Sequence, residues 1–316
     1  MMKRELIFDC DPGHDDAMAL LLALSSDALD VKLITTSAGN QTQEKTLKNT
    51  QKLLSFIGLN DIEIAKGAEK PLVRDLIIAD NIHGESGLDG ADLGVPTFNI
   101  SERSALDAMK DVLIKADQKI TIVATGPLTN VAILLTSYPE LKGKIDCISL
   151  MGGAGFGGNW TPTAEFNIFV DPEAADIVFR SGVPIIMSGL DVTSNAKLLP
   201  KDIDRIAEVG NETSEIMASL LRYFSVHSPP YYISKDGYFK GAHMHDPCAV
   251  AYLIQPDLFS GVECHVAVET AGKLTTGATV VDINHRSGKD KNAKVLFDID
   301  RKRFVDLLVS AIQYFR

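Results

Sequence analysis

The first two dozen residues constrain the fold more than any other stretch. Glu5-Leu6-Ile7-Phe8 reads as a buried strand and Ala17-Met18-Ala19-Leu20-Leu21-Leu22-Ala23-Leu24 as a helix. Between them, Asp9-Cys10-Asp11-Pro12-Gly13-His14-Asp15-Asp16 sets four carboxylates within eight residues. Pro12 and Gly13 make the connection tight. Asp15 and Asp16 fall at the helix N-terminus, where negative charge is favoured. Asp9 and Asp11, two apart on a strand end, point the same way. A capping loop needs one acid, not four. Four crowded carboxylates repel one another unless a cation or hydrogen-bond donors hold them, and an all-oxygen cluster suits a hard cation such as Ca²⁺ or Mg²⁺.

The same strand–loop–helix grammar continues. Strands are expected at Val31–Thr36, Ile62–Ala65, Ile120–Ala124, Ile145–Leu150 and Val183–Met187, and helices at about 43–57, 128–135 and 171–180. Such alternation implies an α/β fold with a mostly parallel, doubly wound, Rossmann-like sheet. After Pro200 the pattern turns helical (about 201–209, 213–227 and 247–253). Two or three strands follow between Val262 and Ile299, then a closing helix from Arg301 to Phe315. With no internal repeat and no low-complexity linker, residues 1–316 are expected to form one domain.

Composition narrows the partners. A net charge of −11 argues against a nucleic-acid polymer or an anionic membrane surface, which need basic patches. The four cysteines, Cys10, Cys147, Cys248 and Cys264, are widely spaced and fit a reduced, cytosolic chain rather than a disulfide framework or zinc site. Met1-Met2-Lys3-Arg4 runs straight into the first strand without the apolar region of a secretory signal, so a cytoplasmic location is expected.

The strand-end loops carry the chemistry. In a parallel α/β sheet they converge on the carboxyl edge, where ligands bind. They bring Asn40, Thr125-Gly126-Pro127-Leu128-Thr129-Asn130, Met151-Gly152-Gly153, Asn159-Trp160, Glu165-Phe166-Asn167 and Asp191 to the acidic loop. Two histidine segments, His83 to Gly90 and His243-Met244-His245-Asp246-Pro247, add imidazoles. None of the segments 9–16, 37–40, 83–90, 125–130, 151–173 or 243–248 contains Lys or Arg. Such a site disfavours phosphate, which wants a basic rim, and suits hydroxyl-rich neutral ligands. The residues alone therefore point to a metal-assisted site for a sugar without phosphate.

At these residues the chain resembles the nucleoside hydrolases, also called inosine–uridine preferring nucleoside hydrolases. Asp9 to Asp16 is similar to the family's DxDPGxDD opening. The likeness continues through His83-Gly84, Thr125 to Asn130, Met151-Gly152-Gly153, Ala164 to Asn167, Asp171 to Ala175 and His245-Asp246-Pro247, in order along essentially the whole chain. The stretches Asn81–Gly90 and Gly158–Pro162 look most like the bacterial pyrimidine-specific ribonucleoside hydrolases.

The resemblance implies hydrolysis of the N-glycosidic bond of ribonucleosides with a tightly bound Ca²⁺. Carried over by motif position, Asp11, Asp16, the Thr125 carbonyl and Asp246 would hold the ion, and Asp11 would be the general base. Asp15, Asn40 and Asn167 would bind the ribose diol, and Asn159 and Glu165 the 5′-hydroxyl side. Asp9 would support them from behind. His83 and His245 would face the leaving base, with His245 the candidate proton donor. The stretch Val226 to Phe239 would contribute to the base pocket, with Tyr231, Tyr232, Tyr238 and Phe239 as candidate stacking residues. The resemblance also implies a homotetramer. Two rival readings are weaker. A haloacid-dehalogenase-type phosphatase would share Asp9-x-Asp11 but wants Thr or Val at Gly13 and a basic phosphate ligand. A Ca²⁺-dependent nucleoside-binding module would use the same ligands without turnover.

Overall fold

The computed structural model describes residues 3–97, 99–227, 233–234, 237–238 and 241–315, with backbone only for the two dipeptides. Tyr231, Tyr232 and Phe239, and the side chain of Tyr238, lie outside the described residues. The strands are β1 (Arg4–Cys10), β2 (Leu29–Thr36), β3 (Glu63–Lys66), β4 (Ile120–Ala124), β5 (Ile145–Met151), β6 (Ile185–Ser188), β7 (Lys197–Leu198), β8 (Ile233–Ser234), β9 (Gly237–Tyr238), β10 (Ala242–His243), β11 (Phe259–Val268), β12 (Thr279–Asp282) and β13 (Ala293–Ile299). The helices are α1 (His14–Ser25), α2 (Gln43–Phe56), α3 (Asp80–His83), α4 (Ala105–Lys115), α5 (Thr129–Ser137), α6 (Phe166–Val170), α7 (Pro172–Phe179), α8 (Leu190–Thr193), α9 (Pro200–Ala207), α10 (Glu212–His227), α11 (Pro247–Ile254) and α12 (Arg301–Tyr314).

Nine of these strands form one sheet in the order β12-β11-β13-β6-β5-β4-β1-β2-β3. The pairs from β13 through β6, β5, β4, β1 and β2 to β3 are parallel; β11 runs antiparallel to β13 and to β12. The central parallel strands β1, β4 and β5 are buried on both faces, which is why they read as near-continuous apolar runs. Along β1 the period of two divides the side chains. Leu6, Phe8 and Cys10 join a core with α1, α10, α11 and α12, whereas Ile7 joins the opposite core with α4, α5 and α7. Helix α1 is buried nearly all round, from His14 to Ala23, so it needs no polar face.

The winding from β1 to β2 and β3 goes one way, and the chain then crosses to β4 on the other side of β1. The order therefore reverses between β1 and β4, and a crevice opens beyond their carboxyl ends. Two bonds carry the sheet spacing into the loops that follow: the Thr125 N–H donates to the Asp9 carbonyl and the Ser37 N–H to the Cys10 carbonyl, both at 2.9 Å.

The sequence reading places most of these elements, but it assigns none to residues 105–115. There α4 buries Ala105, Ala108, Met109 and Leu113, and Ser104 accepts from the Asp107 N–H as its cap. The last strands also do more than close the chain, since β13 pairs directly with β6 and extends the parallel sheet. All four cysteines are buried and unpaired. Among the described residues, no helix is long and apolar enough to cross a membrane.

Candidate active site

The acidic loop lies at the reversal point, and its neighbours decide what each carboxylate can do. Asp9 Oδ1 accepts from Thr35 Oγ1 at 2.6 Å and from Asn130 Nδ2 at 2.8 Å. Asp11 Oδ2 accepts from the Asn40 N–H at 2.7 Å. Its Oδ1 is buried without a hydrogen-bond partner. Asp16 is held from three loops: Oδ2 accepts from the Gly13 N–H at 3.0 Å and from Asn40 Nδ2 at 3.1 Å, and Oδ1 from Thr125 Oγ1 at 2.7 Å. Asp246 arrives from the far end of the chain, one residue ahead of α11, whose Pro247 starts the helix. Asp15, Asp16 and Asp246 each offer an oxygen within 4.8 Å of the others.

Burial pushes every one of these carboxyls upward. Asp9 rises to about 7 despite the bonds from Thr35 and Asn130. Asp15 also rises to about 7, through burial and then the charge of Asp16. Asp11 is raised by burial and then by Asp16; Asp246 by burial and then by Asp15, Asp16 and Asp11. For Asp16, burial outweighs the hydrogen bonds it receives from Gly13 and Thr125. Crowded, desolvated carboxylates of this kind either take up protons or hold a cation. The donor set fits a hard divalent metal. It is all oxygen, it includes a buried carboxylate oxygen with no other partner, and no Lys or Arg lines the crevice among the described residues.

A pocket opens above this floor. Asp15, Asn40, Thr125, Asn167 and Asp246 line it, together with Asn159, Glu165, His83, Phe224, His243 and His245. Ala79, Ile82, Met151, Trp160 and Phe166 complete it. Trp160 packs edge-on against Phe166, with centroids 4.9 Å apart. Of the residues expected at the site, Asp15, Asn40, His83, Thr125, Asn159, Glu165, Asn167, His245 and Asp246 line the pocket, and Asp9, Asp11 and Asp16 are hydrogen-bonded to its lining residues Asn40 and Thr125. Asp191 is elsewhere: its carboxylate accepts from the Gly155 N–H at 2.6 Å and the Phe156 N–H at 3.2 Å, pinning the glycine-rich loop.

Several side chains are more committed than their residue types suggest. Glu165 caps α6, accepting from the Asn167 and Ile168 N–H groups, and also from the Gly153 N–H at 2.9 Å. Burial still pushes it up to about 7. Asn159 Oδ1 accepts from the Phe166 N–H at 2.9 Å, which leaves its amide N–H groups for a ligand. Asn167 Nδ2 donates to the Thr125 carbonyl at 2.7 Å, so it tethers the carbonyl expected to face a metal. His245 Nδ1 lies 2.7 Å from Thr193 Oγ1. Burial drives the imidazoles downward: His245 to about 3, with help from His243, and His243 to about 4. His83 is also lowered, by burial and then by His14 and His245. In all three, burial favours the uncharged imidazole.

Phe224 and Ala79 escaped the sequence reading as site residues. Phe224 sits on α10 beside buried Met217, Leu220 and Leu221, a spacing indistinguishable from ordinary core.

The family model described as inosine-uridine preferring nucleoside hydrolase matches residues 6–306. A protein named pyrimidine-specific ribonucleoside hydrolase RihA from Klebsiella pneumoniae (strain 342) is 52% identical over 314 residues, covering 99% of this chain and 100% of that protein. One of the same name from Citrobacter koseri is 54% identical, covering 99% of each. Among solved structures, a purine-preferring ribonucleoside hydrolase from Gardnerella vaginalis superposes with a TM-score of 0.90 at 30% identity over 98% of both chains.

Proposed function

Because the chain belongs to the inosine–uridine preferring nucleoside hydrolase family, we propose that this ribonucleoside hydrolase prefers pyrimidine substrates, uridine and cytidine before inosine. It releases ribose and free base in nucleoside salvage in the cytoplasm. The preference leans on relatives more than half identical over their full length that carry the pyrimidine-specific name. Fold does not decide it, since the purine-preferring neighbour has the same architecture. The observation that supports the reaction is the chemistry of the pocket: carboxylates and amides share its lining with imidazoles and aromatic rings, and no Lys or Arg is in that lining among the described residues.

Asp11, Asp16, the Thr125 carbonyl and Asp246 would hold Ca²⁺, with Asp15 beside them. When bound, the ion supplies Lewis acidity that lowers the pKa of water and binds vicinal hydroxyls. Asp11 Oδ1, which has no other partner, takes the proton of the attacking water. Asp15, Asn40 and Asn167 orient the ribose diol. Asn159 donates to the 5′-hydroxyl, beside the Glu165 carboxylate. As the C1′–N bond lengthens, its electron pair goes to the base and positive charge develops on the ribosyl ring. The carboxylate floor stabilises that charge without reorganising. The departing base is met by His245, whose neutral ring donates through Nε2–H when Thr193 donates to its Nδ1. Trp160, Phe166 and Ile82 exclude solvent. The chain acts as one domain and assembles as a homotetramer.

The test is ribose release from uridine, cytidine, inosine, adenosine and deoxyuridine under steady-state conditions. Uridine and cytidine should lead, and deoxyuridine should be poor because it lacks the 2′-hydroxyl. Equal kcat/KM for inosine and uridine would remove the preference and leave a general nucleoside hydrolase. No ribose from any nucleoside would leave only a binding module.

A further inference from the structure

His83 does not stand alone at the pocket wall. Its Nδ1 lies 3.1 Å from Nδ1 of His14, the residue that opens α1. His14 Nε2 in turn lies 2.7 Å from the backbone carbonyl of Asp89. His14 is wholly buried and His83 nearly so. The two rings stack with Phe224, at centroid distances of 5.1 Å from His14 and 5.3 Å from His83. No carboxylate oxygen is bonded to either ring among the described residues.

A carbonyl oxygen only accepts, so His14 Nε2 carries a proton. In a neutral ring that leaves His14 Nδ1 with a bare lone pair. The nitrogen 3.1 Å away must then donate, so the proton of His83 sits on Nδ1. The alternative places two lone pairs face to face at that distance in a desolvated site. The backbone N–H of His14 also points toward His83 Nδ1, but at 3.4 Å, the outer limit of a hydrogen bond. The shorter ring-to-ring approach decides.

We propose that Asp89, His14 and His83 form a tautomer lock that leaves His83 Nε2 unprotonated, as a hydrogen-bond acceptor for an N–H or O–H of the substrate. His14 is the positioning residue. The two histidines at the base end thus have opposite parts, with His245 donating and His83 accepting. The lock is rigid because Asp89 is itself held. Its side chain accepts from the Glu85 and Ser86 N–H groups, both at 3.0 Å, tying the turn that presents its carbonyl. Asn49 Nδ2 clamps that turn to the acidic loop through the Ser86 and Pro12 carbonyls, at 2.9 and 3.1 Å. Only the identity of the donor that Nε2 meets rests on the nucleoside reading; the tautomer does not.

The experiment is ¹⁵N-histidine NMR on the full-length protein, with kinetics alongside. Long-range proton–nitrogen correlations should show His83 protonated at Nδ1 and bare at Nε2, and His14 the reverse. His14→Asn keeps an acceptor facing His83 Nδ1 and should keep the tautomer; His14→Leu removes it and should release His83 to the other form. Uridine turnover should follow, with His14→Leu losing about ten- to a hundredfold in kcat/KM. That loss should fall mainly in KM, because an acceptor already serves the bound ground state. His14→Asn should restore most of it. A proton on Nε2 of His83 in the parent protein, or a doubly protonated His14, overturns the proposal whatever the substrate. The predicted tautomer in a protein that cleaves no nucleoside would instead overturn the functional reading and leave the lock standing.

Discussion

Gly126 offers a direct probe of the Asp11 carboxylate. It follows Thr125 at the end of β4, and a Cβ built there would lie 2.6 Å from Asp11 Oδ1 and 2.8 Å from its Cγ. Its φ is not in the left-handed region, so Gly126→Ala brings no backbone strain, only this overlap. Restoring ordinary contact requires the oxygen to retreat by roughly 0.8 Å, and misplacing a reacting group by about 1 Å costs up to ~10²-fold in rate. We therefore expect kcat for uridine to fall by about ten- to a hundredfold. Stability should hardly move. The alanine gains about 0.4–1 kcal/mol by restricting the unfolded chain, and an off-rotamer Asp11 costs about 0.5–1.5 kcal/mol. The melting temperature should stay within about 4 °C of the parent. Ribose release and thermal melting read the two quantities separately. Gly143→Ala, with nothing within 4 Å of the added methyl, is the control. Turnover by Gly126→Ala at the parent's rate would refute the placing of Asp11 Oδ1 at the reacting water.

Three further outcomes follow from the same geometry. Chelation should abolish turnover and lower the melting temperature, with Ca²⁺ restoring both, because Asp15, Asp16 and Asp246 are left desolvated and mutually repelling; full activity in protein shown metal-free by elemental analysis would defeat this. Uridine monophosphate should be cleaved at least ~10²-fold less efficiently than uridine, since an unpaired buried charge costs several kcal/mol; comparable kcat/KM for the two would contradict it. Thr193→Val should lower kcat about tenfold, the worth of one hydrogen bond of roughly 1–1.5 kcal/mol to His245. An unchanged rate would remove Thr193 from the account.

The parallel sheet was legible because its central strands β1, β4 and β5 are apolar runs buried on both faces, alternating with helical stretches. Helix α4 was overlooked although Ser104 and Asp107 carry a cap signal, because half of its buried face, Ala105 and Ala108 beside Met109 and Leu113, is alanine. At the site, the acidic loop declared itself, since nothing structural needs so many carboxylates together. The triple of Asp15, Asp16 and Asp246 could not be read, because it depends on where α11 packs rather than on any local pattern. Motif position instead named Asp11 with Asp16 and Asp246. In the structure Asp11 adjoins the triple, close enough for its charge to raise Asp246. His14 was visible only as a letter inside the acidic motif; its partner Asp89 is a backbone carbonyl, which no side-chain pattern reveals.

The reversal of the sheet between β1 and β4 has a consequence for biogenesis. The acidic loop leaves the ribosome well before Asp246, β11 and β13, which follow after β1 to β6 in chain order. A nascent chain that has laid down β1 to β6 exposes the β6 edge where β13 belongs, an unpaired edge of the kind that recruits other strands. It also carries the acidic loop without Asp246. The catalytic floor is therefore finished only after Asp246 has emerged, and until β13 follows, the open β6 edge is the kind of transiently exposed surface that makes a partly made chain prone to association.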